Sequence, residues 1–138
     1  MINSIKKYLK KIKKYSNNFK REDTINFKGQ KAPALWTGVD LDGTLAHYDR
    51  KFPVDKIGDP VPDMLKLVRE LIKNNIKVKI FTARAQDPSQ LPIIRGWLKA
   101  NGLPELEITN IKDFNMQWLL DDRCIQVERN TGRLIFKD

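Results

Sequence analysis

The stretch Val39-Asp40-Leu41-Asp42-Gly43-Thr44-Leu45 sets two carboxylates two residues apart, where an apolar run gives way to a Gly-Thr turn. The preceding Ala34-Leu35-Trp36-Thr37-Gly38-Val39 is short, mostly apolar and bounded by turn signals, as expected of a strand buried on both faces of a parallel sheet. Asp40 then falls at the carboxyl end of that strand, where open α/β sheets bind their ligands. Gly43 permits a tight backbone path that returns Asp42 toward the same cavity, and Thr44 brings a hydroxyl and an N–H donor. Two carboxylates about 4 Å apart repel by about 4 kcal/mol at an effective dielectric near 20. A divalent cation or a shared proton is therefore expected, and Mg²⁺ suits an all-oxygen ligand set. An ordinary acidic turn is the other reading of the same residues, so the rest of the chain decides between them.

Further along, Val78-Lys79-Ile80-Phe81-Thr82 reads as a strand ending in a hydroxyl, and Trp118-Leu119-Leu120-Asp121-Asp122 repeats the pattern of an apolar strand followed by acids. Taken together with these segments, VDLDGTLA resembles motif I of the haloacid dehalogenase (HAD) superfamily. From Leu35 to Leu134, wording such as DLDGTLAHYD, IGDPVPDM, FTAR, TNIKDFNM and DDRCIQVERNTG is similar to small capless HAD-like proteins of phage and bacterial genomes. The resemblance implies that Asp40 is a phosphoryl-accepting nucleophile and Asp42 a general acid/base. It also implies that Thr82 binds the transferring phosphate with Gly43 and Thr44, and that Lys112 neutralises nucleophile and phosphate.

For the metal, the resemblance implies Mg²⁺ held by Asp40, the Asp42 backbone carbonyl and one or both of Asp121 and Asp122. Arg84 and Arg123 lie beside these motifs, either as grips for substrate anions or as plain salt-bridging arginines. The expected activity is Mg²⁺-dependent phosphomonoester hydrolysis through an aspartyl-phosphate. Dehalogenation of a C–Cl bond has no ester oxygen to protonate and no need of Asp42. A receiver-type signalling domain would place its acidic pair before the phosphoacceptor, the reverse of the order found. The alternative is an inactive HAD-like scaffold that binds nucleic acid or a membrane surface.

Charge is divided unevenly along the 138 residues. Residues 1–33 carry ten Lys/Arg against two Asp/Glu, a net +8, and residues 34–138 carry sixteen against fifteen, a net +1, which together make the formal +9. The first segment reads as a basic helix and linker and the second as the catalytic domain, a single modest domain with a real core. Ile5, Tyr8, Leu9, Ile12, Tyr15 and Phe19 recur on one helical face, and Lys6, Lys7, Lys10, Lys11, Lys13 and Lys14 fill the remaining arc. Such a helix can lie on nucleic acid, on an anionic membrane surface, on its own domain or on a second subunit, so an oligomer is compatible with it. Asn17 to Pro33 reads as a linker. Cys124 has no partner for an internal disulfide and is expected to be a small core residue, and the single His47 has no fellow ligands. With no signal-peptide pattern and no apolar run near 18 residues, a cytoplasmic protein without a transmembrane segment is expected.

Periodicity predicts a helix over Val61 to Ile72 and another from near Pro92 to the stop at Asn101-Gly102. A short strand is expected at Leu106 to Ile108, and a terminal hairpin around Asn130-Thr131-Gly132. Repeated strand-helix-strand order predicts a Rossmann-like three-layer α/β fold with a mainly parallel sheet. Only 37 residues separate Thr44 from Thr82 and 29 separate Thr82 from Lys112, too few for a lid domain. An open, capless site suits a large phosphorylated substrate such as a protein or a polynucleotide end, and the basic arm favours a polyanion.

Overall fold

The computed structural model describes residues 5–11, 14 and 35–136. Strand β1 (Trp36–Val39) is buried along its whole length, as its apolar run predicts. Helix α1 (Pro62–Lys73) begins with proline at its first position, where no N–H is required, and carries Asp63 in its first turn and Lys73 in its last, in accord with the helix dipole. It buries Leu67, Val68 and Leu71 and stops at Asn74, followed by Asn75 in the left-handed region at φ 60°.

Strand β2 (Lys77–Phe81) follows, then a 3₁₀ turn over Ala83–Gln86 and helix α2 (Gln90–Ala100). This helix starts two residues before the expected Pro92, which sits in the first turn, where its missing N–H costs nothing. It ends as expected, with Asn101 as cap and Gly102 at φ 71°. Strands β3 (Glu107–Thr109) and β4 (Met116–Leu120) complete the main sheet, and β5 (Gln126–Val127) with β6 (Leu134–Ile135) form the terminal antiparallel hairpin.

All pairings in the main sheet are parallel, in the order β3-β2-β1-β4. The chain winds outward from β1 to β2 to β3 and then crosses back to lay β4 on the other side of β1. The reversal falls between β1 and β4, so the crevice favoured for ligands lies beyond their carboxyl ends. Val39, Leu41, Leu45, Val68, Leu71, Ile80, Ile94 and Leu98 form the heart of the core. Lys79 is buried within β2, satisfied by Glu107 at 3.3 Å and by the Trp36 ring, 4.5 Å from its ammonium. The fold is the expected Rossmann-like α/β arrangement, and none of the described helices is long and apolar enough to cross a membrane.

Residues 5–11 are helical, and Ile5 and Leu9 pack against the core cluster while Lys6, Lys7, Lys10, Lys11 and Lys14 are exposed. Within these residues the apolar face lies on the chain's own domain. Ile12, Lys13, Tyr15, Phe19 and the linker expected over Asn17 to Pro33 lie outside the described residues. Cys124 departs from expectation: it is exposed in the loop after β4 and is not a core residue, because the chain has already left the sheet at that point.

Candidate active site

Register alone brings the first two acids together. Val39 pairs with Leu120, so Asp40 and Asp121 leave adjacent strands at the same level, and the Asp40 N–H donates to the Leu120 carbonyl at 2.9 Å. On the other side Val39 pairs with Ile80 and Phe81 with Thr109, which sets Thr82 and Asn110 one step further out. Among the described residues, carboxylate oxygens of Asp40, Asp121 and Asp122 all fall within 4.8 Å of one another.

Thr44 organises this cluster. Its hydroxyl lies 3.1 Å from Asp40 Oδ2 and 3.2 Å from Asp122 Oδ1, and it accepts the Asp122 N–H at 3.0 Å. That hydroxyl is spent on the acids. Gly43 makes the turn possible: it sits at φ 88°, and a Cβ there would stand 2.6 Å from Asp122 Oδ2. Burial first, and then the charge of Asp121, push the Asp40 carboxyl up to about 7, against the lowering hydrogen bond from Thr44. Three carboxylates held this close create a deficit of positive charge. An all-oxygen cluster with that deficit fits a hard divalent cation.

Asp42 faces another way. Its carboxylate is held by Arg84 in a two-pronged pair, Nε to Oδ2 at 2.6 Å and Nη2 to Oδ1 at 2.9 Å. As a metal ligand, then, Asp42 has only its backbone carbonyl to offer, since its side chain stands outside the acid cluster. Arg84 Nη2 also donates to the Lys56 carbonyl at 2.9 Å, and Nη1 donates to the Val54 carbonyl and, at 2.8 Å, to Gln90 Oε1. All five guanidinium N–H groups are therefore engaged within the protein. Arg84 is a brace between Asp42, the loop before α1 and the start of α2, and has no N–H left for a substrate anion.

A cleft of about 520 Å³ opens over Asp40, Asp42, Thr82 and Asp121. Thr82 is buried, and its oxygen accepts the Arg84 N–H at 3.2 Å, which leaves its own proton to donate. Arg123 lines the cleft. Lys112 does not: it is exposed in the loop after β3, from which Asn110 lines the cleft instead. Asp122 lies behind the cleft, in a groove shared with Thr44 and Tyr8.

The reading of the sequence missed Asn110, Gln86 and Tyr48, all of which line the cleft. Asn110 directly follows β3 and was open to the same strand-end argument that located Thr82. His47 is not in the lining, whereas its neighbour Tyr48 is.

No protein-family model and no curated protein matches the sequence. Among solved structures, the chain is similar to a conserved protein from Bacteroides thetaiotaomicron, with a TM-score of 0.53 and 18% identity over 67% of this chain and 78% of that one. That likeness concerns the fold alone.

Proposed function

We propose that this protein is a Mg²⁺-dependent phosphomonoester hydrolase of the HAD type that works through an aspartyl-phosphate on Asp40. The observation that carries the reading is the convergence of Asp40, Asp121 and Asp122 at the switch point of a parallel sheet, with Asp42 and Thr82 lining the same cleft. Bound between Asp40, the Asp42 carbonyl and one or both of Asp121 and Asp122, Mg²⁺ would supply charge neutralisation for the nucleophile and the phosphate. Asp40 attacks phosphorus in line while Thr82 and Arg123 hold phosphate oxygens. Asp42, once released from one prong of its Arg84 pair and protonated, gives a proton to the leaving oxygen and later takes one from the attacking water. Positioning and electrostatics supply most of the rate, since charge spreads over the equatorial oxygens of a loose transition state. The test is Mg²⁺-dependent release of phosphate from an aryl phosphate, lost in Asp40→Asn. Release that persists in that variant, or that ignores Mg²⁺, contradicts the reading.

A second reading, an inactive scaffold that binds polyanions, draws on the lysine face of residues 5–11. Four exposed lysines line a segment whose Tyr8 shares a groove with Asp121 and Asp122. Because Ile5 and Leu9 are already packed on the core, this face suits nucleic acid better than a bilayer, which would need the apolar side for itself. Salt-sensitive oligonucleotide binding that survives Asp40→Asn and disappears when the four lysines of residues 6–11 become glutamate would favour it.

A further inference from the structure

The cleft over Asp40 does not end at Asp42. A second groove of about 680 Å³ runs on from it, sharing Asp42, Tyr48, Ala83 and Gln86, and opens between the loop of Pro53 and Val54 and the turn at Pro88. Asp42 is the acid that lines both spaces. If phosphorus is attacked by Asp40, the bond that breaks lies opposite the attacking oxygen. The oxygen that departs with the alcohol must also come within reach of the group that protonates it. An alcohol leaving past Asp42 enters this second groove.

Its walls indicate what it holds. Arg84, which would otherwise be a grip for a second anion, has every N–H committed to Asp42, Val54, Lys56 and Gln90. The Phe52 ring is covered by the Lys56 ammonium, 4.3 Å from its centroid. What remains open is a flat apolar side, the Tyr48 ring, 47% exposed, and Val54, 78% exposed, with Pro53 and Pro88, edged by the exposed polar side chains of Arg50, Gln86 and Asp87. Exposed apolar surface beside a polar reaction centre is the composition of a small-molecule subsite.

We propose that this groove is the leaving-group subsite and that it selects alcohols carrying a planar ring of nucleobase character over compact polyols. The proposal rests on the phosphatase reading and adds the substrate class. With full-length protein and Mg²⁺, kcat/KM is compared for a nucleoside 5′-monophosphate and glycerol 1-phosphate, two esters whose departing oxygens are both primary alkoxides. The nucleotide is expected to win by about tenfold or more, the scale of one stacked ring. Tyr48→Ala and Val54→Asp are each expected to shrink that ratio about fivefold or more, chiefly through KM. Both residues are surface-exposed enough to be replaced without opening the core. Equal turnover of the two esters, or a ratio untouched in both variants, overturns the subsite and leaves the phosphatase reading standing. No turnover of either ester with Mg²⁺ removes the phosphatase reading, and the subsite falls with it.

Discussion

Replacing Arg84 by alanine probes the brace between the Asp42 loop and the rest of the fold. The side chains of Arg84 and Asp42 are 13% and 21% exposed, so their pair is largely withdrawn from water. The substitution strands the Asp42 carboxylate and removes the donors of the Val54 and Lys56 carbonyls and of Gln90 Oε1. Breaking a fully buried pair costs about 3–5 kcal/mol, and the residual solvent access here brings the expected loss to about 2–3 kcal/mol. For a domain near 100 residues each kcal/mol moves Tm by about 4–8 °C, so a fall of about 10–20 °C is expected by circular dichroism. Arg84→Lys keeps the charge without the fork and should recover less than half of it. Amide hydrogen exchange at residues 52–57 should speed up in both variants, because that loop loses its anchor. Activity adds a second readout: with Asp42 misdirected, hydrolysis of alkyl phosphates, which need an acid for their leaving oxygen, should fall more than hydrolysis of aryl phosphates. A Tm change below about 4 °C with unchanged exchange at 52–57 would refute the reasoning.

Three further outcomes follow from the acid cluster. Gly43→Ala should destabilise the protein by about 2 kcal/mol and weaken Mg²⁺ binding, since φ 88° and the approach to Asp122 both oppose a Cβ; a calorimetric titration indistinguishable from wild type would contradict this. Thr44→Val leaves the Asp122 N–H and one Asp40 oxygen without their partner, and should cost about 1–3 kcal/mol in a urea melt and lower Mg²⁺ affinity at neutral pH. Asp40, pushed up to about 7 by burial and by Asp121, binds a proton on folding at any pH between its ordinary 3.8 and about 7. In a chelating buffer its contribution to stability is therefore present at low pH and lost as pH rises through that window. The fall should vanish in Asp40→Asn, and a wild-type Tm that climbs from about pH 5 to about pH 8 would contradict the assignment.

The parts of this molecule that could be read in advance are those that depend on local pattern. The apolar runs before Asp40, Thr82 and Asp121 place three strands, and the strand-end rule then places three cleft-lining side chains at one edge without reference to any tertiary contact. Helix α1 follows from the spacing of Val61, Met64, Leu65, Val68, Leu71 and Ile72 in the same way. What could not be read are relations between distant residues. Arg84 and Asp42 are 42 positions apart, and nothing in either neighbourhood reveals that one saturates the other. Thr44 reads as a phosphate ligand because its neighbours do, and only the return of Asp122 to its hydroxyl shows that it serves the acids. Lys112 was placed by order of motifs, and the loop between β3 and β4 carries it to the surface while Asn110 lines the cleft.

The central claim is that Asp40 accepts the phosphoryl group. Rapid acid quench of the Mg²⁺-loaded protein during turnover, followed by proteolysis and mass spectrometry, should find one phosphoryl group, labile to hydroxylamine, on the peptide that contains Asp40. Steady turnover with that peptide unmodified, or with the phosphoryl group on another residue, would contradict the account.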